Sequence, residues 1–155
     1  MSEPPSRAAA GPVVIAYDGS DLSRLGIQEA GRLLSGGRRA LVVCVWETFD
    51  VGFVPVGGDS FDAAQAPAVQ AAAERTAADG ASLAKTAGFQ ADSIAIRAAP
   101  SWKGIVEVAD EHDASVIVLG SHGRSGLAGA LIGSVAGAVA AHSHRTVLIA
   151  HRPGE

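Results

Sequence analysis

The stretch GSHGRSGLAGALIGS, residues 120–134, places five glycines in fifteen positions between the apolar runs SVIVL and SVAGAVAA. Glycine gives up more backbone freedom on folding than any other residue, so this density needs a reason. One reason is chemical. A backbone without Cβ atoms can approach phosphate oxygens closely, and the N–H groups at a helix N-terminus hold anions without a cationic side chain. The segment follows a strand-like run and leads to Ser134 near the first turn of a short helical pattern, which is the context such a cradle needs. The same glycines could serve only to permit a turn between strand and helix. Taken alone, the residues leave both readings open.

Two common phosphate-binding spacings are absent. No GxxxxGK[ST] occurs, so no lysine reaches the terminal phosphates, and no G-x-G-x-x-G follows the first strand. The glycines fall instead as Gly120-x2-Gly123-x9-Gly133-Ser134. A membrane reading is weighed next, because residues 125–143 lack Asp, Glu, Lys and Arg, and Gly129, Gly133 and Gly137 form overlapping GxxxG spacings. Gly, Ala and Ser dominate that stretch, few of its residues insert strongly, and a strand-like run lies on either side. No membrane span is expected.

Other candidates are weaker. Asp18, in AYDGS, would either face a ligand or close an Asx turn with Gly19. Ser134 suits a helix N-cap whatever else it does. His122 and Arg124 lie within the glycine loop, where either could touch a phosphate. His142 and His144 stand two apart with no acidic partner nearby, a poor zinc pattern. The single Cys44, inside LVVCVW, reads as a small buried hydrophobe.

The elements that must position these residues alternate in period. VVIAY (13–17), ALVVCVW (40–46), SVIVL (115–119) and TVLIA (146–150) are near-continuous apolar runs, as expected of strands covered on both faces. SIAIRA (93–98) alternates and predicts a half-exposed edge strand. Helical faces are marked by Leu22, Leu25, Gly26, Ala30, Leu33 and Leu34, with Gly36-Gly37 after them, and by Val69, Ala73, Thr76, Gly80, Leu83 and Ala87, ended by Gly88. Ile105, Val108, Ala109 and His112 mark a third helix; Val135, Ala138, Val139 and His142 mark a short fourth. Residues 47–64 show no period and read as a loop. The order β-α-β-α-β-α-β-α-β predicts one open α/β domain with a mostly parallel sheet.

Composition agrees with one such domain. The 155 residues are 48% hydrophobic, 18% charged and only 5% aromatic, so the core must be built from Val, Ile, Leu and Ala. A net charge of −4, without a basic cluster, argues against a nucleic-acid partner. One cysteine and an N-terminus without an apolar signal region point to the cytoplasm. Residues 1–11, rich in Pro and small residues, read as a disordered lead before a domain spanning 12–152.

The spacing Gly120-x2-Gly123-x9-Gly133-Ser134 resembles the nucleotide signature G-x2-G-x9-G-[ST] of the universal stress protein family, which lies after the fourth strand. VVIAYDGSDLS and ASVIVLGSHGRSGLAGALIGSVAGAVAAHSHRTVLIAHR extend the resemblance to nearly the whole chain. It departs from the family at Arg145-Thr146, where a Cys-Pro or similar pair is frequent, and at Ala99-Pro100, where a glycine often precedes the proline. Neither position falls in the phosphate loop.

The resemblance implies an α/β fold with an open five-stranded parallel sheet, order 3-2-1-4-5, and helices on both faces. It implies an ATP-binding stress-response regulator whose nucleotide sits in the crevice between strands 1 and 4. Ala16, Tyr17 and Asp18 would end strand 1, with Asp18 toward the ribose or a phosphate-bound cation. Val45 and Leu119 would wall the adenine. Gly120, Gly123, Arg124, Gly133, Ser134 and Val135 would surround ribose and phosphates, with Mg²⁺ carried by the ATP. It implies a homodimer through the final strand, Thr146 to Ala150. The alternative is a weak ATP hydrolase or adenine-nucleotide-dependent enzyme of the same fold. Efficient turnover is not expected, because phosphoryl transfer needs charge clamps that this lysine-free loop lacks.

Overall fold

A computed structural model of the chain describes residues 11–34, 36–47, 66–123 and 132–153. Residues 1–10 of the expected N-terminal lead, most of the loop 47–64, and Arg124 therefore lie outside the described residues. Nine elements alternate: β1 (Val13–Ala16), α1 (Asp21–Leu33), β2 (Arg39–Trp46), α2 (Ala66–Thr86), β3 (Gln90–Arg97), α3 (Ser101–Glu111), β4 (Val116–Gly120), α4 (Ser134–His142) and β5 (Thr146–Ala150). The strands form one sheet in the order β3-β2-β1-β4-β5, and every pairing is parallel.

Period-2 geometry sends alternate residues of each strand to opposite faces, and both faces are covered. On one face Val13, Ile15, Val42, Val116 and Val118 pack with Ile27 and Ala30 of α1 and with Ala81 and Ala84 of α2. On the other, Val14, Val43, Ile117 and Leu119 pack with Ile105, Val108 and Ala109 of α3 and with Val139 of α4. Cys44 is buried beside Ala73 and Ala77.

Several boundaries and faces differ from the sequence expectation. α1 buries Ser23, Gly26, Ile27 and Ala30, while Leu33 is 56% exposed. The leucines suggested a face displaced from the true one, because Ser23 is buried by hydrogen bonds that hydrophobicity does not reveal. α2 buries Ala73, Ala77, Gly80, Ala81 and Ala84, and leaves Leu83 at its surface. Small residues on this helix allow close approach to the sheet: a Cβ on Gly80 would fall 2.5 Å from the Tyr17 ring. β3 starts at Gln90, earlier than SIAIRA suggested, and pairs with β2 over eight residues. The buried face of α4 is Ala136 and Val139, not Val135 and His142.

Candidate functional site

β1 lies between β2 and β4, so the winding of the chain reverses beside it. In open α/β sheets the crevice beyond the carboxyl ends of such strands is where ligands are held. The two loops that leave β1 and β4 meet there.

The loop after β1 is fixed by its own polar groups. Tyr17 N–H donates to Val43 O at 2.9 Å and extends the β1–β2 pairing past Ala16. Asp18 Oδ1 accepts from Ser20 N–H at 2.9 Å and from Ser23 Oγ at 3.0 Å. Gly19 between them takes φ +83°, a left-handed conformation that a Cβ would strain. Ser20 is the N-cap of α1, its hydroxyl accepting from Ser23 N–H at 3.3 Å. Asp18 thus closes the Asx turn and leaves the helix cap to Ser20. The Tyr17 side chain is core: it is buried among α1 and α2 residues, and its hydroxyl accepts from Arg24 Nε at 3.4 Å. That bond raises the pKa of Arg24 further above its ordinary value. Tyr17 therefore reaches the crevice through its backbone alone.

The loop after β4 is anchored by Ser121, only 3% exposed. Ser121 N–H donates to Ala150 O at 2.8 Å, and Ser121 O accepts from Gly133 N–H at 2.6 Å. One residue thereby ties the end of β4 to β5 and to the start of α4. The sequence carries no signal for it, because both ties are made by backbone groups that every residue has. Ser121 Oγ also lies 3.1 Å from His122 Nδ1. His122 Nε2 is buried and has no hydrogen-bond partner among the described residues. A buried polar group left in that state costs about 1–3 kcal/mol unless something satisfies it.

The signature glycines press against the protein itself. A Cβ on Gly123 would lie 2.8 Å from Asp18 Oδ2, so the two loops, a hundred residues apart in sequence, are in direct contact. A Cβ on Gly120 would lie 2.7 Å from the backbone carbonyl of Leu22 in α1. One on Gly133 would lie 3.0 Å from Ser121 O, 3.3 Å from His122 Cα and 3.5 Å from His122 Cδ2. Gly133, not Ser134, is the N-cap of α4, with φ −68° and ψ 166°. A glycine cap supplies no side-chain acceptor to the first-turn N–H groups. Ser134 and Val135 are exposed in that first turn.

Ala16, Val45 and Leu119 fall on one face of the sheet, the one covered by α3 and α4. Register places Ala16 beside Val43, and the pairing of Ile15 with Val118 puts it level with Leu119. Val45 lies two residues further along β2 and packs toward Gly104 of α3. Leu119 is only 4% exposed, so it backs the crevice more than it lines it. The expected residues other than Arg124 therefore gather at the ends of β1, β2 and β4 and the start of α4. What the arrangement can do chemically is offer backbone donors to an anion, and one fixed carboxylate to hydroxyl groups or to a cation carried by that anion. A glycine-capped helix start suits a ligand carrying phosphate.

Among the described residues no group of three His, Cys, Asp or Glu could hold a metal ion. His142 instead stacks on Trp102, ring centroids 4.4 Å apart. No helix among the described residues is long and apolar enough to cross a membrane.

A universal stress protein of Mycobacterium tuberculosis strain H37Rv is 33% identical to the chain over 152 residues, covering 91% of it. The chain spans only 45% of that relative's length. Among solved structures, a universal stress protein in complex with cAMP is 29% identical, with TM-score 0.62 over 92% of this chain and 98% of that one. The universal stress protein of Archaeoglobus fulgidus in complex with dAMP is 26% identical, with TM-score 0.61 over 90% and 96% of the two chains. The model of the universal stress protein family matches residues 10–151, nearly all of the sequence, and with the fold described above it means that the chain belongs to that family.

Proposed function

We propose that this chain binds ATP with Mg²⁺ in the crevice between β1 and β4 and acts as a nucleotide-responsive regulatory protein. The observation that carries the reading is the contact of the Asp18 carboxylate with Gly123 beside a glycine-capped α4. In this arrangement Asp18 Oδ2 faces ribose hydroxyls, while the N–H groups of Ser134 and Val135 and the Ser134 hydroxyl donate to phosphate oxygens. Mg²⁺ rides on the phosphates and offsets their charge near Asp18. Val45 walls the adenine, with Leu119 behind it. The relatives in complex with cAMP and dAMP support an adenine nucleotide as the ligand class. β5 lies at the end of the sheet, and antiparallel pairing with a second copy would satisfy its open edge under twofold symmetry.

Calorimetric titration of Mg-ATP into wild type and Gly133→Val tests the site. The valine would bring its Cβ to 3.0 Å from Ser121 O and its methyls to the first turn of α4. Binding by wild type, with at least a tenfold loss in the variant, is expected, since one displaced charge-assisted hydrogen bond is worth about 1.5–3 kcal/mol. Equal affinities, or no heat from either protein, would remove the cradle.

A further inference from the structure

We infer that Arg152, from the segment that follows β5, is a phosphate-binding residue of this crevice, and that Asp21 competes with the nucleotide for it. The inference rests on the nucleotide reading above and supplies a cation to it. A triphosphate carries several negative charges, yet residues 120–134 contain no lysine. Backbone N–H groups bring dipoles, not a full positive charge.

Ser121 fixes the place from which Arg152 starts. Its N–H donates to Ala150 O at 2.8 Å, and its own carbonyl accepts from Gly133 N–H at 2.6 Å. The last residue of β5 and the N-cap of α4 are therefore bonded to one buried residue. Arg152 stands two residues beyond Ala150, a span of at most about 7 Å, and Ser134 directly follows Gly133. A long, flexible cationic side chain thus begins close to the donors proposed for phosphate.

Arg152 is also lightly held. Its ion pair among the described residues is with Asp21, Nη2 to Oδ2 at 3.9 Å, and the two side chains are 51% and 83% exposed. The distance exceeds a hydrogen bond, and exposed pairs of this kind contribute little. The guanidinium can leave Asp21 at small cost.

Asp21 marks the near side of the same mouth. It follows the N-cap Ser20 in the first turn of α1. Its neighbour Leu22 lies against the end of β4, where a Cβ on Gly120 would be 2.7 Å from the Leu22 carbonyl. Arg152 therefore reaches from the end of β5 to the start of α1, beside the loop that leaves β4. A guanidinium presents its N–H donors in a planar fork that matches phosphate oxygens in pairs. A triphosphate outweighs one carboxylate in charge, so the guanidinium passes from Asp21 to the nucleotide on binding.

The test is calorimetric titration of Mg-ATP into wild type, Arg152→Gln, Asp21→Asn and the double variant, with thermal melting of each protein alone. Arg152→Gln should bind roughly fivefold more weakly, the upper end for an exposed charge pair, and melt as wild type does. That deficit should shrink to about twofold or less at about 1 M salt, where the screening length is about 3 Å. Asp21→Asn should bind roughly two- to threefold more tightly, since the guanidinium no longer has to be released. In the double variant that gain should vanish. Unchanged Mg-ATP affinity in Arg152→Gln overturns the assignment, as does a loss accompanied by a lowered melting temperature or undiminished by salt. A gain from Asp21→Asn that survives in the double variant overturns the competition. No binding by wild type overturns the nucleotide reading, and this inference with it.

Discussion

Gly120→Ala and Gly123→Ala should separate two reasons for a glycine in the signature loop. A Cβ on Gly120 would fall 2.7 Å from the carbonyl carbon and oxygen of Leu22 and 2.9 Å from its Cβ. Leu22 belongs to the first turn of α1, which the Ser20 cap and the bond from Arg24 N–H to Ser20 O hold in place. Backbone cannot turn aside, so α1 must move away from β4. Overpacking of this kind costs about 1–3 kcal/mol, and rigid neighbours put this site toward the upper end. Each kcal/mol lowers Tm by roughly 2–4 °C in a domain of this size, so a fall of about 6–12 °C is expected. On Gly123 the nearest atom is Asp18 Oδ2 at 2.8 Å, the far end of a side chain. Neither glycine has positive φ, so alanine adds no backbone strain at either site. Turning the Asp18 carboxylate weakens its bonds to Ser20 and Ser23, a loss of about 1 kcal/mol, or roughly 2–4 °C. It also moves Oδ2 away from the ligand, so Mg-ATP affinity should fall by about tenfold or more. Calorimetric melting without nucleotide, followed by titration with Mg-ATP, reads both quantities. A Gly123→Ala protein that melts as low as Gly120→Ala yet binds as wild type does would refute the reasoning.

Asp18→Asn keeps Oδ1 as an acceptor for Ser20 N–H and Ser23 Oγ, so its Tm should change by no more than about 2–4 °C, the equivalent of one weakened hydrogen bond. Nucleotide affinity should drop tenfold or more; a sharp fall in Tm with unchanged affinity would make Asp18 a turn residue only. Ile149→Lys places like charges on β5, the end strand of the sheet, and should convert the proposed dimer to a monomer in light scattering at micromolar concentration. A wild type that is already monomeric would show that the edge is covered some other way.

The alternation of apolar runs with helical periods was enough to read the number, type and order of elements, because nearly continuous Val and Ile runs suit only doubly covered strands. Strand order was a different matter. Nothing in VVIAY or SVIVL says that the first and fourth strands are neighbours, and that came from resemblance. Helix faces were misread where burial is earned by small or polar residues. On α1, Ser23 is buried through bonds to Asp18 and Ser20, while Leu33 stays exposed. On α2, the alanines and Gly80 approach the sheet, and the larger Leu83 does not. Hydrophobicity scales weigh side chains one at a time; close packing weighs the gap between two backbones.

The same distinction governs the site. Gly120, Gly123 and Gly133 were legible as a group because only glycine lets a backbone come so near another atom. Which atom that would be was not legible. The phosphate reading assigns all three to the ligand, whereas the structure sets Gly120 against Leu22, Gly123 against Asp18, and Gly133 against Ser121 and His122. Each glycine therefore meets a demand of the fold before any ligand arrives. The demand also shapes the proposed site, since without these close approaches neither the Asp18 carboxylate nor the His122 ring would stand where it does. Ser121 was invisible for a related reason: its contribution is one N–H and one carbonyl, which every residue has. A site assembled from backbone groups leaves its mark on the sequence only where side chains must be missing.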